Sequence, residues 1–92
     1  MKTFVIEREI PQIGKSTHED LQGISRKSCD VLDGMNSEEI KWIHSYVAEN
    51  KVYCIYKATN PELLKEHAKK GGFPINSISV VSEIISPETA KV

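Results

Sequence analysis

From Thr3 to Glu9 the side chains alternate, with Phe4, Ile6 and Arg8 on one side and Val5, Glu7 and Glu9 on the other. A period of two predicts a strand with unequal faces, and Pro11 and Gly14 end it. The period then changes. Leu21, Ile24, Ser28, Val31 and Leu32 recur at helical spacing and predict a buried stripe. Ser16 and Glu19 are spaced as a capping box that would open this helix, and Gly34 would close it. Residues 40–48 and 52–58 are rich in aromatic and β-branched side chains, with the polar Glu49-Asn50-Lys51 between them, and predict a hairpin. Asn60-Pro61-Glu62 supplies an N-cap, a proline at the first helical position and an early acid. Lys69-Lys70-Gly71-Gly72 supplies terminal cations and a stop, so a second helix lies between them. After Pro74, the alternation of Ile78, Val80 and Ile84 with Ser79, Val81, Glu83 and Ile85 predicts the last strand, and the chain from Pro87 reads as a loose tail.

The order of elements is β-α-β-β-α-β, the split arrangement called ferredoxin-like. Right-handed crossovers would give an α+β domain with a four-stranded antiparallel sheet in the order 4-1-3-2 and both helices on one face. We expect one domain over 1–86 and a tail over 87–92, because 92 residues hold one modest core. The other sheet face would be left bare, to pair with another copy or to wall a pocket.

Charge changes this picture little. Lysine and arginine number 12 against 13 acidic residues, so no net field gathers polyanions and no nucleic-acid partner is expected. The first apolar run is broken by Glu7, too early for a signal sequence or a membrane span, so we expect no membrane partner and a cytoplasmic location. Cys29 and Cys54 lack metal-knuckle spacing and read as reduced thiols.

Candidate chemistry concentrates in the hairpin. Strand alternation would put Trp42, His44 and Tyr46 on one face. A two-residue loop would set Tyr53, Ile55 and Lys57 opposite them, and a three-residue loop would set Val52, Cys54 and Tyr56 there; the sequence leaves both registers open. The second register would gather an imidazole, a thiol and phenols, a donor set for a borderline cation such as nickel, copper or zinc. The plainer alternative makes Trp42 and Tyr46 core or interface aromatics and Cys54 a small hydrophobe. His67 falls on the apolar side of the second helix and should point at the sheet, where it needs a backbone carbonyl, a tyrosine hydroxyl or a metal as partner. Glu7 and Glu9 would look onto the bare face, with Glu83 beside them, as metal donors, as a general base, or simply paired with Arg8, Lys57 or a partner's cation. Gly71-Gly72-Phe73-Pro74 follows a helix and so reads as a cap, not a phosphate loop. No triad, Walker loop or HExxH pattern occurs, so nothing in the sequence demands catalysis.

The strings Phe4-Val5-Ile6-Glu7-Arg8-Glu9, Trp42-Ile43-His44-Ser45-Tyr46-Val47, Lys51-Val52-Tyr53-Cys54-Ile55-Tyr56, and Glu66-His67-Ala68 through Gly71-Gly72-Phe73-Pro74 carry a resemblance. In order and spacing they resemble a family of small bacterial proteins long classed as a domain of unknown function, one branch of which is described as nickel-binding or nickel-responsive. The resemblance spans nearly the whole chain. It implies a ferredoxin-like fold, a homodimer formed through the sheets, and nickel as ligand. Carried onto this sequence by chemistry and position, it makes His44 the first metal ligand to expect, with His67, Cys54 and Glu7 as further candidates. Trp42, Tyr46, Tyr56 and Glu9 would then line the dimer face or a pocket. The expected role is sequestration or sensing of a divalent transition metal. The alternatives are a dimeric barrel-type enzyme or small-molecule binder with Trp42, Tyr46 and Tyr56 around its pocket and His44 or Glu7 as base, and a plain dimerising module.

Overall fold

The computed structural model describes residues 1–91, so Val92 of the expected tail lies outside the described residues. Strand β1 spans Lys2–Glu9, helix α1 His18–Asp33, β2 Ile40–Val47, β3 Lys51–Ala58, α2 Pro61–Gly71 and β4 Ser77–Val81, with short 3-10 turns at Ile13–Lys15 and Pro87–Lys91. The sheet order is β2-β3-β1-β4, which is the expected 4-1-3-2, and every pairing is antiparallel. The last strand is shorter than its alternating pattern, and Glu83, Ile84 and Ile85 follow it as exposed chain.

The unequal faces of β1 decide where the core lies. Phe4, Ile6 and Arg8 are all buried, while Glu9 is exposed and Val5 and Glu7 are half-buried. Phe4 lies opposite Tyr56 and Ile6 opposite Cys54, so these residues share the helix-covered face; with Ile40, Ala58 and Leu64 they make the core cluster. Helix α2 begins as its sequence dictates, with the Asn60 side chain accepting the Leu63 amide at 3.3 Å and Pro61 first in the helix. It ends at Gly72, whose φ of 71° is the left-handed conformation that glycine adopts freely.

Helix α1 departs from expectation at its start. Thr17, not Ser16, is the N-cap: Thr17 Oγ1 accepts the Asp20 amide and Asp20 Oδ2 accepts the Thr17 amide, each at 3.1 Å. Both spacings fit a capping box, but the Ser16 amide is already donated to Ile13 O within the 3-10 turn, which moves the cap one residue on. The stripe on α1 is also covered less than its pattern implies. Ser28 is buried, Leu21, Val31 and Leu32 are half-buried, and Ile24 is 40% exposed. Two serines, Ser25 and Ser28, stand where larger apolar groups would fill the space beneath the helix, and a cavity remains there.

The hairpin register is also settled. Ala48 donates to Lys51 O at 2.8 Å, which leaves Glu49-Asn50 as a two-residue loop. The β1–α1 connection holds that loop: Ile10 donates to Asn50 O, Gly14 to Glu49 O, and the Gln12 amide to Asn50 Oδ1. The register therefore rests on contacts about 40 residues away in sequence, which the turn sequence alone does not contain.

Candidate functional site

Strand β2 does not alternate throughout. Trp42 pairs with Tyr56 and His44 with Ile55, so Ile43 is an extra residue in a β-bulge. Up to Trp42 the even positions face the helices; beyond the bulge they face away. Trp42, His44 and Tyr46 therefore do not share a surface, contrary to the expectation from simple alternation. Trp42 is half-buried against the core, and its Nε1–H donates to Ser45 Oγ at 2.9 Å on the helix side. His44 and Tyr46 lie on the bare face, opposite Ile55 and Tyr53.

The candidates consequently form two groups divided by the sheet. On the bare face stand His44, Tyr46, Glu7 and Glu9. His44 Nε2 is 3.1 Å from the Tyr46 hydroxyl, with the rings edge to face at a centroid separation of 5.0 Å, and both residues are exposed. Glu7 adjoins Tyr53 on one side and Ser77 on the other, and Glu7 Oε1 meets Lys51 Nζ at 3.5 Å. The cation that Glu7 finds is thus Lys51 of the neighbouring strand, since Arg8 points to the opposite face and Lys57 lies farther along β3. Glu9 uses its amide to bind Asn76 Oδ1. Glu83 lies beyond the end of β4 and does not join this row.

Between the sheet and the helices lie Cys54, Tyr56, His67 and Trp42. The two-residue loop puts Cys54 on the face opposite to His44, so an imidazole and a thiol do not meet there. Cys54 and Tyr56 are buried in the core. Tyr56 sits between the β1 and α2 side chains, with its ring 5.5 Å from that of His67, and burial pushes its phenol above its ordinary pKa, against the opposing pull of Ser28 and Arg8. Tyr56 and Trp42 therefore belong to the covered face, not to a dimer face shared with Tyr46.

His67 points at the sheet, as helical spacing requires, and is 1% exposed. Its Nε2 is 3.2 Å from Ser28 Oγ and 3.4 Å from Ser28 O, while Nδ1 is buried with no partner. A protonated Nδ1 would bury an unsatisfied N–H, so the favoured tautomer carries its hydrogen on Nε2 and donates to Ser28. Burial, with the Arg8 charge acting in the same direction, lowers the imidazole pKa. Below pH about 6.5 the unfolded chain therefore binds a proton that the folded one resists, and stability falls as acid is added. Thermal melts between about pH 7.5 and about pH 5 should show this loss, at no more than about 1.4 kcal/mol per pH unit. A His67→Phe variant should show a flatter profile, and an unchanged slope would assign the acid sensitivity to other groups.

Among the described residues, no group of three or more histidine, cysteine, aspartate or glutamate side chains is close enough to hold a metal ion. One chain thus offers part of a coordination set on its bare face: an exposed imidazole with a phenol against it, and carboxylates on the far side of Tyr53. Alternation did signal one residue that reading for ligands passed over. Arg8 shares its register with Phe4 and Ile6, and it is 3% exposed beneath the helices.

Comparison with known proteins adds the following. Residues 4–81 match the model of a family described as "Nickel responsive protein SCO4226-like". The crystal structure of SCO4226 from Streptomyces coelicolor A3(2) superposes with a TM-score of 0.73 at 14% identity, covering 90% of this chain and 99% of that one. At that identity the likeness speaks for the fold. No curated protein sequence matches the chain. Among the described residues, no helix is long and apolar enough to cross a membrane.

Proposed function

This chain belongs to the SCO4226-like family of nickel responsive proteins, and from that premise we propose that it binds nickel, or a similar divalent transition metal, between the bare sheet faces of two copies. The observation that carries the reading is the His44–Tyr46 pair, an accessible imidazole held at Nε2 by a phenol 3.1 Å away on the face that no helix covers. A histidine whose Nε2–H donates to an oxygen keeps its Nδ1 lone pair for a cation, the arrangement by which neighbouring groups orient metal-bound histidines. Imidazole nitrogen and carboxylate oxygen together suit a borderline cation. Glu7 and Glu9 are the carboxylates on that face. Cys54 and His67, on the other side of the sheet, stand outside this donor set.

A second copy is what the donor count calls for. One chain brings fewer than three acidic, cysteine or histidine donors together among the described residues, whereas two faces related by a twofold axis double the set. Charge supports the same pairing. Lys41 and Lys57 lie directly opposite each other at one end of the bare face, a repulsive pair in isolation, and Glu7 and Glu9 lie toward the other end, where Lys51 offsets one of the two acids. An antiparallel meeting of two such faces would set lysines against acids. Val5, Tyr53 and Ile55 supply half-buried apolar surface between the charged ends, and Ile84 and Ile85, at 81% and 77% exposure, supply more beyond β4. The role would be sequestration or sensing in the cytoplasm, since donors drawn from both copies enclose a metal without leaving an open reactive position.

Nickel titration by calorimetry, with native mass spectrometry of the untagged protein, tests this. The native chain should bind nickel as a dimer, and His44→Ala should weaken binding by at least about tenfold while leaving the fold intact. Equal affinities in the two forms would remove His44 from the site, and a monomer that binds nickel unchanged would remove the partner.

A further inference from the structure

The space beneath α1 is a cavity of about 160 Å³. Ile13, Leu21, Trp42, Val47 and Val52 give it mainly apolar walls, and Arg8, Ser25, Ser28, Ser45 and Tyr56 are its polar lining. Arg8 is unusual. It is 3% exposed, its Nη1 donates to Pro74 O at 2.8 Å, the Phe73 ring lies 5.4 Å from its guanidinium carbon, and its Nη2 is buried without a partner. Among the described residues no carboxylate answers it. The ion pairs among the described residues are made by Lys51, Lys65, Lys70 and Lys91, and Glu7 and Glu9, its neighbours in sequence, face the other side of the sheet.

A guanidinium is always charged, and burying one with neither a counter-ion nor a full set of acceptors is among the costliest arrangements a fold can hold. The groups around it relieve that cost only in part: the Tyr56 hydroxyl accepts a hydrogen bond from the Arg8 side chain but is kept a neutral phenol by burial, and burial disfavours a charge on His67. The missing partner is an anion. The apolar walls exclude a strongly hydrated one such as phosphate, which would lose its water against isoleucine and valine. The volume is close to the roughly 150 Å³ of an apolar cavity known to take up benzene, the size of one aromatic ring.

We propose that this cavity is a binding site for a small aromatic carboxylate, with the ring between Ile13, Trp42 and Val52 and the carboxylate paired with the charge of Arg8. The site lies on the opposite face of the sheet from His44 and does not depend on metal binding or on a second copy.

Trp42 reports on the site, because it is the chain's one tryptophan and its Nε1–H gives a single resolved signal in a proton–nitrogen correlation spectrum. Titrating the full chain with benzoate and with benzamide, its uncharged isostere, should shift that signal saturably, with benzoate bound at least about tenfold more tightly, as a charge-assisted hydrogen bond implies. Arg8→Met should reduce that preference to less than about twofold, because the positive partner is gone. Ser25→Phe, which fills the cavity from α1, should abolish the shift by both probes and decides the question if Arg8→Met does not fold. Equal binding of the two probes, no saturable shift with either, or a shift that survives Ser25→Phe would each overturn the proposal.

Discussion

Phe4→Ala is expected to remove about 3–5 kcal/mol of stability, seen as a lower urea midpoint at unchanged slope. Phe4 is 1% exposed, faces Tyr56 across the central strand pair and belongs to the only side of β1 that the helices cover. Truncating it loses the transfer free energy of the ring and leaves a void that Ile6, Tyr56 and Leu64 cannot close without shifting both helices. Against a total of about 5–15 kcal/mol for a domain of this kind, such a loss brings the chain near its unfolding threshold. Glu7→Ala on the same strand is the control. Its pairing with Lys51 joins two partly exposed side chains at 3.5 Å, so its loss should cost less than about 1 kcal/mol in dilute protein. Similar losses for the two variants would mean that the faces of β1 have been assigned the wrong way round.

That contrast marks where the sequence was readable. The period of two in β1 separates Phe4, Ile6 and Arg8 from Val5, Glu7 and Glu9 without any knowledge of the partner strands, and the burial of each residue follows it. Helix α2 was readable for a local reason too, since Asn60, Pro61 and Gly72 each satisfy or remove a backbone group within one turn of a helix end. The topology follows from element order and crossover handedness. What escaped was set by tertiary contact. The hairpin loop is anchored by Ile10, Gln12 and Gly14, which lie in another connection entirely. Thr17 displaced Ser16 as cap because the preceding 3-10 turn had already engaged the Ser16 amide. Arg8 was visible in the pattern but reads as a surface charge until the helices are in place, because residue type argues for exposure where periodicity argues for burial.

The bulge at Ile43 had the largest consequence for the candidate site, and deleting that residue is expected to cost little, in contrast to Phe4→Ala. In the native hairpin the extra residue lets Ile40 and Trp42 face the helices while His44 and Tyr46, an even number of positions later, face away. Without it, Trp42 and His44 become neighbours, and strict alternation keeps Ile40 and Trp42 on the helix face with Ser45 and Val47, and His44 and Tyr46 on the bare one. In a strand without a bulge the same deletion would instead flip one part of β2, and a flip of the first part would turn Ile40, now 2% exposed, and Trp42 toward solvent. Exposing one buried isoleucine costs about 1.5–3 kcal/mol, and the Trp42 contacts would add to it, so a regular strand would lose about 3–5 kcal/mol in urea unfolding where the bulged one should lose less than about 1 kcal/mol. Trp42 emission gives a second reading: its wavelength should stay unchanged on deletion, and a shift to longer wavelength would report the indole in water. A loss of about 3–5 kcal/mol with a red-shifted indole would show that β2 pairs without a bulge, and would return Trp42, His44 and Tyr46 to a single surface.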